Sequence, residues 1–352
     1  MVMGRWILRQ YKESSYAVLF DKENGIFLRE GTNHKEPFCN QRGPELLDIS
    51  ITNYCERECD FCYRASNING TFMEINDYEH VIKQASEIGT LQVALGGGNP
   101  NQHPRFIDIL KITRQYGIVP SYTTNGQGMT LDIYKATKEY CGAVAVSWYP
   151  PFVDAINVVN KCKEYGIKVN IHVMLSSETI VYASELIDKY MDLLKDVNAI
   201  IFLNYKPIYS SKSIVLRNSE LSYQFISKVL KNKLCKIGFD SCMISFLVPF
   251  SDEFCPESVE YCEAGRFSAF ISEDLKLYPC SFLKGSESSG VDLKKTSLHS
   301  GWAESEQFME IRERIATQGN QRTPINKCCN CNRYDLCHGG CPMFDINACM
   351  KG

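Results

Sequence analysis

Apolar positions along the chain follow two alternating periods. From Leu46 to about Leu247, short β-branched runs (LLDISIT, LQVALGGG, IVPSYTTNG, AVAVSWYP, IKVNIHVML and AIIFLNY) alternate with longer segments. In the latter, among them DYEHVIKQASEIG, PRFIDILKITRQYG, FVDAINVVNKCKEYG and ASELIDKYMDLLKDV, apolar residues recur at three and four. Six successive strand–helix units predict an α/β fold: a parallel sheet with right-handed crossovers, curled into a partial (β/α)6 TIM-like barrel. Strand parity adds a direction. Val169, Ile171 and Val173 share one face and Asn170, His172 and Met174 the other, as Leu47, Ile49 and Ile51 oppose Asp48, Ser50 and Thr52. Apolar residues then face the helices and polar ones the lumen, with the active centre expected at the C-terminal strand ends. Asn204 and Lys206 are read as lumen-facing too.

Residues 1–45 hold WILRQY, YAVLF, a turn at Asn24-Gly25 and IFLRE, predicting a small β-hairpin element attached to an edge of the core. After Leu247 the periodicity decays into a cysteine- and turn-rich tail containing SFLKGSESSG. The expected division is therefore 1–45, a barrel over 46–248 and a separate C-terminal domain over 249–352.

Length and composition narrow the function. A chain of 352 residues, 44% of them hydrophobic, can bury one large core and an appended domain. Its 38 basic and 41 acidic residues leave a net charge of −3, and no long basic run argues for nucleic acid. Lys228, Lys231, Lys233 and Lys236 are spaced like the solvated face of a helix. No apolar run approaches the roughly 18 residues needed to cross a bilayer, and no signal-type segment lies between Arg5 and Arg9, so a cytoplasmic protein without a membrane partner is expected. There, 17 cysteines point to metal when they are grouped. Cys55, Cys59 and Cys62 form one group. Cys255, Cys262, Cys280, Cys328, Cys329, Cys331, Cys337, Cys341 and Cys349 form another. Cys39, Cys141, Cys162, Cys235 and Cys242 are scattered and read as small buried hydrophobes.

Cys55-x3-Cys59-x2-Cys62 follows the first barrel strand directly. Three thiolates on one loop hold three irons of a cubane and leave the fourth open to substrate. Zinc usually takes four ligands, and this loop offers three with no histidine nearby. The spacing, with Phe61 before the last cysteine, resembles the radical S-adenosylmethionine (SAM) superfamily. That resemblance implies that a reduced [4Fe–4S] cluster here binds SAM and releases a 5′-deoxyadenosyl radical. It further implies SAM contacts from Gly96, Gly97, Gly98 and Asn99 after the second strand, from Thr124 and Asn125 after the third, and from Ser147 after the fourth. The family's usual Gly-Gly-Glu-Pro departs here to Gly97-Gly98-Asn99-Pro100, so the Asn99 amide oxygen is expected to accept from the SAM ammonium without contributing charge.

The tail resembles a SPASM domain, the extension of many radical SAM enzymes that modify peptides. The resemblance rests on Cys328-x2-Cys331-x5-Cys337-x3-Cys341, on Cys349, and on the contexts FCPESVEYCEAG, LKLYPCSF and His299-Ser-Gly-Trp302 with Phe308. It implies one auxiliary [4Fe–4S] cluster on Cys255, Cys262, Cys280 and Cys341 and a second on Cys328, Cys331, Cys337 and Cys349, three clusters in all, with Cys329 left over. Leu275 stands where the family often has glycine, implying a different turn. Ser281 stands where sulfatase maturases carry a proton-accepting Asp, which points away from that activity. The implied function is hydrogen abstraction from a ribosomally made peptide or small protein, leading to cross-link, thioether, epimerisation or oxidation, with an external one-electron reductant such as flavodoxin or ferredoxin. Radical modification of a small metabolite and a non-catalytic iron–sulfur electron carrier are the other classes.

Overall fold

A computed structural model describes residues 4–23, 25–32, 35, 37–208, 214–285, 288–321, 328 and 331–348. Three antiparallel strands come first: β1 (Trp6–Tyr11), β2 (Tyr16–Asp21) and β3 (Phe27–Gly31), in that order. The barrel strands follow as β4 (Leu46–Thr52), β5 (Gln92–Gly97), β6 (Val119–Thr124), β7 (Ala143–Ser147), β8 (Val169–Leu175), β9 (Ala199–Asn204) and β10 (Lys236–Phe239). The extension adds β11 (Ser268–Ile271), β12 (Lys276–Tyr278) and β13 (Val291–Asp292). One ten-stranded sheet runs β10-β9-β8-β7-β6-β5-β4-β11-β12-β13, parallel from β10 to β11, and it is open because β10 and β13 do not pair.

The helices form where patterning and terminal chemistry agree. Ile75–Ile88 buries Tyr78, Val81, Ile82 and Ala85 and stops at Gly89, whose φ of 97° is left-handed. Val153–Tyr165 ends likewise on Gly166. Thr130 caps Leu131–Tyr140, and Ser219 with Ser222 forms a capping box on Glu220–Leu230. These helices cover the face carrying Leu47, Ile49, Val93, Leu95, Val144, Val146, Ile171 and Val173, which with Trp302 and Phe308 belong to one core. Each such aliphatic side chain contributes about 1.5–3 kcal/mol by leaving water.

Several expectations change. The N-terminal element is a three-stranded sheet, and it sits on the base of the barrel: Tyr11, Tyr16, Val18 and Phe20 pack on Leu91 and Val119, which precede or open β5 and β6. The extension is no separate body, since β11 pairs in parallel with β4 and Leu277, Leu293 and Leu298 join the barrel core. Of the four lysines, only Lys228 lies on the helix, bonded to Asp188; Lys231 caps it and Lys236 opens β10, a strand the charge pattern concealed. Leu275 keeps a turn of the glycine kind, adopting φ 62° itself while its side chain is buried in the core.

Candidate active site

Register decides which side chains share the lumen. Asp48 pairs with Ala94, Ala94 with Ser121, Ser121 with Ala143, Ala145 with Asn170, and Ser147 with His172. Parallel partners point the same way, so Ala94, Ser121, Thr123, Ala145 and Ser147 leave a lumen of small residues around Asp48 and His172. Burial pushes the Asp48 carboxyl up to about 6 and the His172 imidazole down to about 4. Asn170 lies toward the strand's start, bonded to Asn198. Asn204 is a correction: it shares the face of Phe202, not the lumen, and donates to the carbonyls of Cys242 and Ile346.

The cysteine loop leaves β4 at the strand's C-terminal end. Cys55 N–H donates to Asn67 O, Cys62 N–H to Cys59 O, and Glu58 turns the chain at φ 47°. Asn125 Nδ2 donates to Cys55 Sγ at 3.4 Å. Tyr149, which follows β7, places its hydroxyl beside Cys59 and Ser147. Its ring meets Phe61 edge-on at 5.3 Å and lies under Arg57, which is bonded to Asp154 at 3.0 Å. Burial raises the Cys59 thiol above its ordinary value against the opposing charge of Arg57. Ionising this thiol is therefore costly until a metal takes the charge. Among the described residues no three His, Cys, Asp or Glu converge at the spacing of a single metal ion. A cubane spreads its ligands over several irons and does not require that spacing.

The glycines divide by role. A Cβ on Gly97 would lie 2.0 Å from Thr52 O, and one on Gly98 2.0 Å from Tyr54 O, so both let β5 close on the cysteine loop. A Cβ on Gly96 would meet nothing within 4 Å. Gly96, in register with Ser50, therefore leaves a cradle at the mouth of the lumen, of a kind a ligand backbone or ribose could fill. Asn99 is wholly buried, and its amide is committed within the protein. Oδ1 accepts from Thr124 Oγ1 at 3.1 Å and Asn125 N–H at 3.2 Å, and Nδ2 donates to Gln127 O at 2.9 Å. It holds the Thr124–Gln127 turn that presents Asn125 to Cys55, so a ligand ammonium would share an oxygen already twice used.

The extension reaches this mouth. Phe282 packs on Tyr63 at 4.7 Å and under Lys206 Nζ at 4.3 Å, and Phe344 joins Phe61, Met174 and Tyr205. Cys262, Cys280 and Cys341 come within electrostatic range of one another or of a shared neighbour, Cys242. Burial pushes the Cys280 thiol up to about 12. Cys255 is exposed, opening the turn Pro256–Ser258. Cys328 and Cys331 share a turn, Cys331 N–H donating to Cys328 O, and Cys337 is buried. Cys329 and Cys349 lie outside the described residues.

The half-barrel thus presents three thiols and a glycine-lined cradle at one mouth. Residues 49–149 match the family model described as "Radical SAM superfamily". Over 84 residues the chain is 33% identical to a probable GTP 3′,8-cyclase of Pyrococcus horikoshii, covering 24% of this chain and 27% of that protein. Over 210 residues it is 21% identical to GTP 3′,8-cyclase of Pasteurella multocida, covering 58% and 55% respectively, so it spans less than two thirds of these relatives. In fold it is similar to Streptococcus suis SuiB bound to its precursor peptide SuiA, with TM-score 0.73, 16% identity and coverage of 96% of this chain and 94% of that one. Residues 49–149 are thus similar to the radical SAM superfamily, and the fold of the chain is that of SuiB.

From the Gly96 cradle we expect Gly96→Val to weaken SAM binding by roughly tenfold or more, about 1.4 kcal/mol, without lowering the unfolding midpoint. Isothermal titration beside thermal denaturation checks this, and unchanged affinity would place SAM elsewhere.

Proposed function

We propose that this enzyme abstracts hydrogen from a ribosomally made peptide or small protein and so begins its post-translational modification. Cys55, Cys59 and Cys62 hold the SAM-cleaving cluster; Gly96 to Gly98, Thr124, Asn125, Ser147 and Phe61 surround SAM, with Asn99 behind them holding the Thr124–Gln127 turn. When bound there and reduced by an external donor of the flavodoxin or ferredoxin type, the cluster with SAM supplies a 5′-deoxyadenosyl radical. Two auxiliary clusters lie in the extension, one on Cys262, Cys280, Cys341 and a fourth thiolate, the other on Cys328, Cys331, Cys337 and Cys349.

The observation that carries this reading is the extension's place in the fold: it continues the barrel's own sheet through β11 and sets Phe282 and Phe344 against the aromatic side chains beside the cysteine loop. A cover of this kind keeps water from a radical while admitting a narrow, extended chain. Asp48, with its carboxyl held near neutrality, is placed to take a proton from a substrate in the lumen, the task Ser281 is unable to serve. SuiB, whose fold this chain shares, binds a precursor peptide and supports the substrate class. The GTP cyclase relatives favour a second reading, a small nucleotide-like metabolite in the same lumen.

Peptides encoded beside this gene, each deuterated at one residue, separate the two. We expect a cognate peptide to raise 5′-deoxyadenosine formation severalfold and to pass deuterium into the nucleoside. Stimulation by a nucleotide, with none by any such peptide, would replace the peptide by the metabolite.

A further inference from the structure

Cys242 reads in sequence as an isolated small hydrophobe. The fold places it among the thiols of the extension. It lies in the turn Ser241–Met243 directly after β10, and its thiol is in side-chain hydrogen-bond contact with that of Cys341. Cys262 and Cys280 both lie within electrostatic range of it. The turn is held from several sides. Asp240 accepts from Asn204 N–H at 3.2 Å and from Lys206 Nζ at 2.7 Å, and Asp240 O accepts from Met243 N–H at 2.8 Å. Asn204 Nδ2 ties Cys242 O to the Ile346 carbonyl, while Ser245 Oγ accepts from Ala348 N–H, so this turn and the loop after Cys341 are bonded to each other at two points. Lys206, almost fully buried, pairs with Asp240 two residues before Cys242 and so helps to fix the turn. Cys255, the fourth ligand implied by the family pattern, is exposed at the start of a turn whose Ser258 donates to its carbonyl.

We infer that Cys242, rather than Cys255, completes the ligand set of Cys262, Cys280 and Cys341, losing its thiol proton on ligation. The inference rests on the proposed auxiliary clusters, and the experiment separates the two. In a full-length background with Cys55, Cys59 and Cys62 all changed to alanine, anaerobic reconstitution should leave two cubanes, about eight irons per chain. Adding Cys242→Ala should either remove about four of these irons or leave a three-thiolate cluster whose electron paramagnetic resonance spectrum shifts on adding imidazole. Adding Cys255→Ala should leave iron content and spectrum unchanged. Circular dichroism of both variants before reconstitution shows whether the barrel is intact. Iron or spectral change with Cys255→Ala overturns the inference, whether or not Cys242→Ala shares it; so does an unchanged, imidazole-insensitive Cys242→Ala protein. Fewer than about four irons in the background itself would instead sink the auxiliary clusters.

Discussion

Alanine at Cys55, Cys59 or Cys62 is expected to reduce reductive SAM cleavage to the level of a protein-free control. The three thiols stand on one short loop held by Asn67 and by the Cys59–Cys62 turn. Two thiolates do not retain a site-differentiated cubane. Alanine at Cys331 or Cys337, in the extension, should by contrast spare some abortive cleavage while product is lost. Chromatographic assay of 5′-deoxyadenosine under dithionite measures both. Cleavage by the first three variants at the wild-type rate would reject the loop as the SAM-cleaving site.

The second large effect concerns how the extension is fastened to that loop. Glu273, just beyond β11, accepts from Arg64 Nη2 at 2.6 Å and Ser50 Oγ at 2.7 Å through one oxygen, and from Lys284 at 2.8 Å through the other. Arg64 and Glu273 side chains are 3% and 5% exposed, so the pair is removed from water. Removing one partner of a buried pair strands the other, at about 3–5 kcal/mol. Glu273→Gln should therefore lower the free energy of unfolding by about that much, and the loop two residues before Arg64 should lose its alignment for SAM cleavage. Burial would raise the Glu273 carboxyl, but Arg64 and Lys284 together outweigh it and hold it below the ordinary value. A carboxylate with a depressed folded-state value stabilises the fold above the unfolded value, about 4.3, and loses that contribution as pH falls through the folded one. The gap between wild type and Glu273→Gln should thus be full at neutral pH and close in acid. Denaturant titration at several pH values tests it, and a gap that is absent at pH 7 would show the pair to be dispensable.

Much of this site can be read in the chain itself. Adjacent residues carry it: the Cys55–Cys62 spacing, the glycine triplet and the alternation of LLDISIT and IKVNIHVML all act over a few residues, where periods of 2 and 3.6 translate directly into faces. The small lumen residues and Asp48 follow from the same parity once register is known. Asn204 escaped because a strand-end residue gives no alternation on its far side, and β10 escaped because its flanking lysines continued the polar pattern of the preceding helix. Tyr149 carried no signal, since its partner Cys59 lies ninety residues earlier.

The sequence by itself determined the order of strands β4 to β9 and their helices, the three-cysteine loop at the strand ends and the late cysteine array, because each is written in local spacing. Only tertiary structure decided that the N-terminal strands close the base of the barrel, that β11 continues its sheet, that Asn99 is spent on its neighbours and that Cys242 joins cysteines 20 to 99 positions away. Those outcomes depend on which surfaces pack across the sheet and on which polar groups find partners once water is excluded, and neither quantity is expressed by any short window of the chain.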